Sequence, residues 1–286
     1  MSTEATKIDR SARHAASTLA ITNHELPKRS TLGAALLSEW TKLRSVRSTV
    51  WALILTSGFT IGLGTLFSWA YLHRERNGRV RDVLRFDPTE RSLNGVVLAQ
   101  LAIGVLGVLV MSSEYATGMI RTSLSAVPNR RVLLLSKTIV LTVVSLIVAM
   151  VSVFVAFFLG QAVLNGDHLG TTLSGPSVLR AVLGAGLYLT LIGMFGLALG
   201  TIVRRTPGAI AALFGIVLIL PLLAQALPQP WDVRIGRLSP FNAGQAFYSV
   251  RYDPSLLTPL QGLLVFLGWI VASYTVAMVM LSRRDA

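Results

Sequence analysis

Residues 138–166 read TIVLTVVSLIVAMVSVFVAFFLGQAVLNG, a run with no Asp, Glu, Lys or Arg. An α-helix of about 20 apolar residues crosses the hydrocarbon core of a bilayer, so this stretch is long enough to span it. Five further charge-free runs carry the same signature: Ser48–Leu72, Ser92–Ser113, Ala181–Val203, Thr206–Trp231 and Ser255–Ser282. Together they predict six transmembrane helices. The alternating strands of about ten residues that build membrane barrels do not appear. The expected fold is therefore an all-α membrane protein.

Composition agrees. Of 286 residues, 52% are hydrophobic and 14% charged, where a soluble chain carries about 25% charged residues. That excludes a soluble enzyme as the main reading and equally a disordered chain. The net charge of +13 suits either nucleic acid or a membrane surface. The hydrophobic content selects the membrane and excludes a nucleic-acid partner. With no cysteine, disulfides, thiolate metal sites and cysteine nucleophiles are excluded. His14, His24, His73 and His168 form no i, i+4 pair, so no zinc-protease ligand set is visible. Arg outnumbers Lys 22 to 4, which with abundant Ala, Gly, Val and Leu resembles a high-GC bacterial coding bias. Residues 1–30 have no apolar core, so they are not a signal peptide. They read as a disordered cytoplasmic tail, leaving 31–286 as one transmembrane domain.

Orientation follows from the basic residues near the span ends. With both termini inside, that side holds 16 Lys and Arg against 10 outside. The exception is the first external loop, His73–Arg91, with six Arg. Its interspersed Glu75, Asp82, Asp87 and Glu90 suggest a self-paired hairpin.

Before the first span lies Thr31–Arg47. Leu32, Leu36, Trp40 and Leu43 recur on one helical face, with Glu39, Lys42 and Arg44 off that stripe. An amphipathic helix carrying Trp and basic residues beside a span is expected to lie in the membrane interface; the plainer reading is an extension of span one. Between Leu227 and Pro259, five prolines break any long helix, while Trp231, Leu238, Phe241, Phe247 and Tyr248 keep the stretch apolar. Short helices at the outer interface are expected there.

The segment joining spans two and three, Ser113–Lys137, reads SEYATGMIRTSLSAVPNRRVLLLSK. Glu114 and Tyr115 stand at the span end, Gly118 and Arg121 follow, and Pro128 precedes Asn129, Arg130 and Arg131. Seven residues separate Glu114 from Arg121, which places both on one face of a continuous helix. This pattern resembles the coupling segment of ABC-2 type transporter permeases. The run Ser38–Val50, SEWTKLRSVRSTV, is similar to the helix that leads into span one in actinobacterial permeases of that family. The resemblance extends from about Leu32 to the C-terminus, and the long Arg-rich first loop departs from it. It implies a half-transporter: a homodimer of this chain over two ATP-binding subunits. It also implies that Glu114, Tyr115, Gly118, Arg121, Pro128 and Arg130 couple to the ATPase, and that ATP and Mg are held by the partner.

The residues add their own support. No GxxxxGK[ST] phosphate loop occurs, so energy must come from a partner or a gradient. Ion-coupled carriers need ionisable relays within the membrane, and the charge-free runs contain none, which weighs against an independent secondary transporter or channel. A membrane enzyme lacks an acid–base or metal constellation. Gln100, Gln161 and Gln225 are polar positions within the spans, fit either for helix–helix hydrogen bonds or for lining a substrate path. Gly58 with Gly62, and Gly196 with Gly200, permit close helix approach, within one subunit or at a dimer seam. The substrate itself is not readable from the sequence.

Overall fold

The structure, a computed structural model, describes residues 32–77, 86–251 and 257–283. The expected tail, residues 1–30, and Asp82 lie outside them. Helix α1 is Leu32–Ser45. Six helices long and apolar enough to cross a membrane follow. Span one is α2, Arg47–Arg76. Span two is made of α3, Pro88–Leu93, and α4, Val96–Ala116. Span three is α6, Arg130–Leu164, and span four is α7, Val178–Val203. Span five is α8, Thr206–Ala224, and span six is α11, Pro259–Arg283. The short α5, Met119–Ala126, joins spans two and three. The short α9, Trp231–Leu238, and α10, Pro240–Tyr248, precede span six.

Span four is the hub, packed on α4, α6, α8, α10 and α11. Its seam with α4 is glycine against glycine. A Cβ on Gly107 would collide with the Gly193 carbonyl, one on Gly196 with the Gly104 carbonyl, and one on Gly200 would stand 2.6 Å from the Val108 oxygen. Small residues thus bring the two backbones into contact. Gly196 and Gly200 pack within the subunit. Gly58 and Gly62 do not: a Cβ on either meets nothing within 4 Å.

Two spans carry π-helical turns. In α8 the turn is Gly215–Ile219, and Pro221 explains it: proline supplies no N–H to Val217 and its ring crowds that carbonyl. In α2 the turn is Phe59–Leu63, and the carbonyls of Phe59 and Thr60 lie against Gly95 at the α3–α4 junction, too close to admit a Cβ.

Several boundaries differ from the sequence reading. Span five ends at Ala224, and Trp231 opens α9 instead. The two short helices expected after Leu227 are present, but α10 buries Ala243, Ala246, Phe247 and Tyr248 inside the bundle. Arg180 donates to the Phe247 and Ser249 carbonyls (3.1 and 2.8 Å) at the end of α10. The self-pairing expected of the first loop falls on Arg79, Arg81, Asp82 and Arg85, which lie outside the described residues. Asp87 caps α3, accepting from the Thr89 and Glu90 amides, and Arg76 reaches Asp167 at the end of span three.

Candidate functional site

Span three is longer than a membrane needs. Its 35 residues at about 1.5 Å each extend roughly 52 Å, against about 30 Å of hydrocarbon. Asn129 starts the helix, accepting from the Arg131 amide, directly after Pro128. The first two turns, Arg130–Lys137, precede the charge-free run and stand at the end of the bundle where α1, α4 and α5 meet.

There four charged side chains join. The Lys137 ammonium donates to Glu39 at 2.8 Å and to Glu114 at 2.7 Å. Lys42 donates to Glu39 at 2.9 Å and to Glu114 at 2.8 Å, and again to the Ser123 hydroxyl on α5 at 3.0 Å. Lys137 is 1% exposed, Glu39 4% and Glu114 5%. Lys42 is partly exposed, and the cluster is neutral as a whole, which is what allows its other three members to be buried: an isolated buried charge costs far more than a paired one. Burial pushes the Lys42 ammonium down, but its hydrogen bonds to Glu114 and Glu39 and their charges outweigh this and hold it above the ordinary lysine value. Both carboxylates are already neutralised by lysines, so nothing here calls for a metal.

The junction gives α1 a protein-facing side, made of Ala35, Glu39 and Leu43. Leu32 and Trp40 face outward, Trp40 at 47% exposure, and Leu36 is half-buried. Glu39 faces inward because Lys137 awaits it. The sequence reading of the segment after span two is corrected. Gly118 adopts the left-handed conformation (φ 72°), where glycine is favoured, and breaks the helix between α4 and α5. Glu114 and Arg121 therefore share no helical face. Glu114 turns into the junction, while Arg121 is exposed on α5 beside Met119 and Thr122. The inner side of α5 holds Ile120 and Ser123.

Around the junction, arginines tie the helix ends. Arg130 donates to the Leu281 carbonyl, and Arg204 donates to that of Met280 (3.0 Å). Cations at the C-terminal carbonyls of α11 complement its dipole. The Arg204 guanidinium also stacks over Tyr115, 5.0 Å from the ring centre. Beside the junction a cavity of about 290 Å3 is lined by residues of α1, α2, α4, α5 and α6.

The three glutamines are not brought together. Gln100 accepts from the Tyr188 hydroxyl and donates to the Val97 carbonyl. Gln161 donates to Pro88 and Ser92 and accepts from the Thr171 amide. Both serve helix packing. Gln225 is exposed at the end of α8. A family model described as "ABC-2 family transporter protein" matches residues 35–222. No curated protein matches the chain.

Proposed function

We propose, from the premise that this chain belongs to the ABC-2 family of transporter proteins, that it is the membrane-spanning permease subunit of an ATP-driven exporter. In this reading two copies pair in a bacterial plasma membrane with both termini cytoplasmic. Two separate ATP-binding subunits, which hold ATP and Mg, dock beneath them. The face of span one supports the pairing. Trp51, Ile54, Leu55 and Leu66 are exposed there alongside Gly58 and Gly62, small residues that permit close helix approach.

The observation that carries the proposal is the link from α5 to three other elements. Helix α5 hangs between the Gly118 turn and Pro128, exposing Met119 and Arg121 on one side. On the other, Ser123 meets Lys42, which is bound through Glu39 and Glu114 to α1, α4 and, via Lys137, α6. A push on α5 by the closing ATPase pair thus reaches spans two and three as one body. Arg121 supplies the charged contact to the ATPase, whereas Glu114, Tyr115 and Arg130 act by holding the segment in place. The test is ATP turnover in proteoliposomes. The purified chain alone is expected to hydrolyse no ATP, and adding its ATP-binding subunits to restore vesicle uptake of a substrate. Turnover by this chain without a partner would overturn the reading.

A further inference from the structure

By pairing Glu39 with Lys137 (2.8 Å), the ionic junction holds α1 against span three at the level where the charge-free run begins. Side by side, the two helices leave a shallow apolar groove on the outside of the bundle. Leu36, Leu37 and Trp40 of α1 form one wall, and Ile139, Val140 and Val143 of α6 form the other. Val143 lies six residues past Lys137, about 9 Å further along the helix, so the groove runs from the edge of the apolar layer into it. Leu37, Trp40 and Val143 are exposed to whatever surrounds the bundle. Gly33 extends the α1 wall, and a Cβ there meets nothing within 4 Å. The surroundings at this depth are lipid, and indoles such as Trp40 concentrate at the headgroup level.

Charge selects among lipids. Gly33, Leu37, Trp40 and Arg44 follow one another at intervals of four, three and four residues, which sets them in line along α1. Arg44 therefore stands one turn beyond the indole on the same side, exposed, and among the described residues none pairs with it. Lys42 is already engaged, its three ammonium protons going to Glu39, Glu114 and Ser123. Glu39 is the one acid of α1, and it is buried. The open surface of the helix thus carries a cation and no anion. A guanidinium presents parallel N–H donors that match a phosphate. Phosphatidylcholine offers that phosphate together with a trimethylammonium that offsets it; an anionic lipid does not. We infer that the groove holds one anionic phospholipid, its phosphate on Arg44 and an acyl chain passing Trp40 along Val140 and Val143. The inference uses the membrane placement of this end but not the ATP-driven reading, which stands if lipid selection fails.

The experiment uses the full chain in phosphatidylcholine vesicles, carrying Trp51→Phe, Trp69→Phe and Trp231→Phe, all at exposed positions. The fluorescence difference between this protein and the same protein with Trp40→Phe isolates the groove indole. Phosphatidylglycerol or phosphatidylcholine brominated on its acyl chains, which quenches by contact, then replaces the plain lipid stepwise. Brominated phosphatidylglycerol is expected to half-quench Trp40 at about fivefold lower mole fraction than brominated phosphatidylcholine, the pull of one basic side chain on an anionic headgroup, along a one-site curve. Arg44→Gln is expected to bring the two lipids within about twofold of each other. Arg205→Gln, exposed at the same end where span five packs on α4 and α7, is expected to leave the preference unchanged. Gly33→Leu meets open space within the subunit, so it folds, fills the groove and is expected to remove the selective component. Equal half-quenching by the two lipids would overturn the inference. So would a preference that survives Arg44→Gln or Gly33→Leu, or one that Arg205→Gln lowers as much as Arg44→Gln. A Trp40 that neither lipid quenches is covered by protein, which overturns it as well.

Discussion

Replacing Lys137 by methionine keeps the length and apolar stem of the side chain and removes its charge. In the wild type that charge is 2.8 Å from Glu39 and 2.7 Å from Glu114, in a site where Lys137 is 1% exposed. The variant leaves two buried carboxylates facing Lys42 alone. Removing one partner of a buried ion pair costs about 3–5 kcal/mol, most of it the penalty of the stranded charge. A second substitution that removes the stranded charge is therefore expected to restore stability. Glu39→Gln on top of Lys137→Met returns the cluster to one cation and one anion. The double variant is expected to be more stable than the sum of the singles by about 2 kcal/mol. Unfolding titrations in mixed micelles with SDS, run as a double-mutant cycle, read this directly. A coupling under about 0.5 kcal/mol, the ordinary scatter of independent sites, would refute the ionic junction as a structural unit.

Alanine at Gly107 places a methyl group inside the Gly193 carbonyl and should cost about 1–3 kcal/mol by overpacking, measured in the same titration. Gly58→Leu and Gly62→Leu meet open space within the subunit, so they should leave monomer unfolding unchanged and weaken self-association seen by cross-linking. Arg180→Ala removes two donors from the end of α10 and should cost about 1.5–3 kcal/mol, with early proteolysis of the segment before span six. In this cysteine-free chain, Asn77→Cys should react with an impermeant maleimide in intact cells and Thr122→Cys should not. The reverse pattern would invert the topology.

Much of the architecture was legible because lipid imposes it. Charge-free runs locate spans well, since a charge in hydrocarbon is expensive whatever its neighbours. Breaks written in Pro128 and the prolines after Leu227 marked the short helices. What sequence could not give was which side of a helix meets protein. The apolar stripe Leu32, Leu36, Trp40 and Leu43 marks α1 as amphipathic, but the ion pair that anchors the helix runs from Glu39, off that stripe, to a lysine 98 positions away. One signal was available. Lys42, Glu114 and Lys137 all stand within a few residues of a charge-free run, hence at similar depth, and opposite charges at one depth beside lipid have reason to pair. The Glu114–Arg121 spacing misled because a seven-residue interval implies a shared face only in an unbroken helix, and Gly118 interrupts it.

The central claim is that α5 is where the ATP-binding subunit grips this chain. A single cysteine at Thr122, exposed on α5, tests it by maleimide labelling in proteoliposomes opened to the reagent, with and without bound ATP-binding subunits, and with Asn77→Cys as the control. The account predicts that complex formation slows labelling at 122 by about tenfold or more and leaves 77 unchanged, and that Arg121→Glu abolishes the protection together with the complex. Equal labelling at 122 in a complex that has demonstrably formed would contradict it.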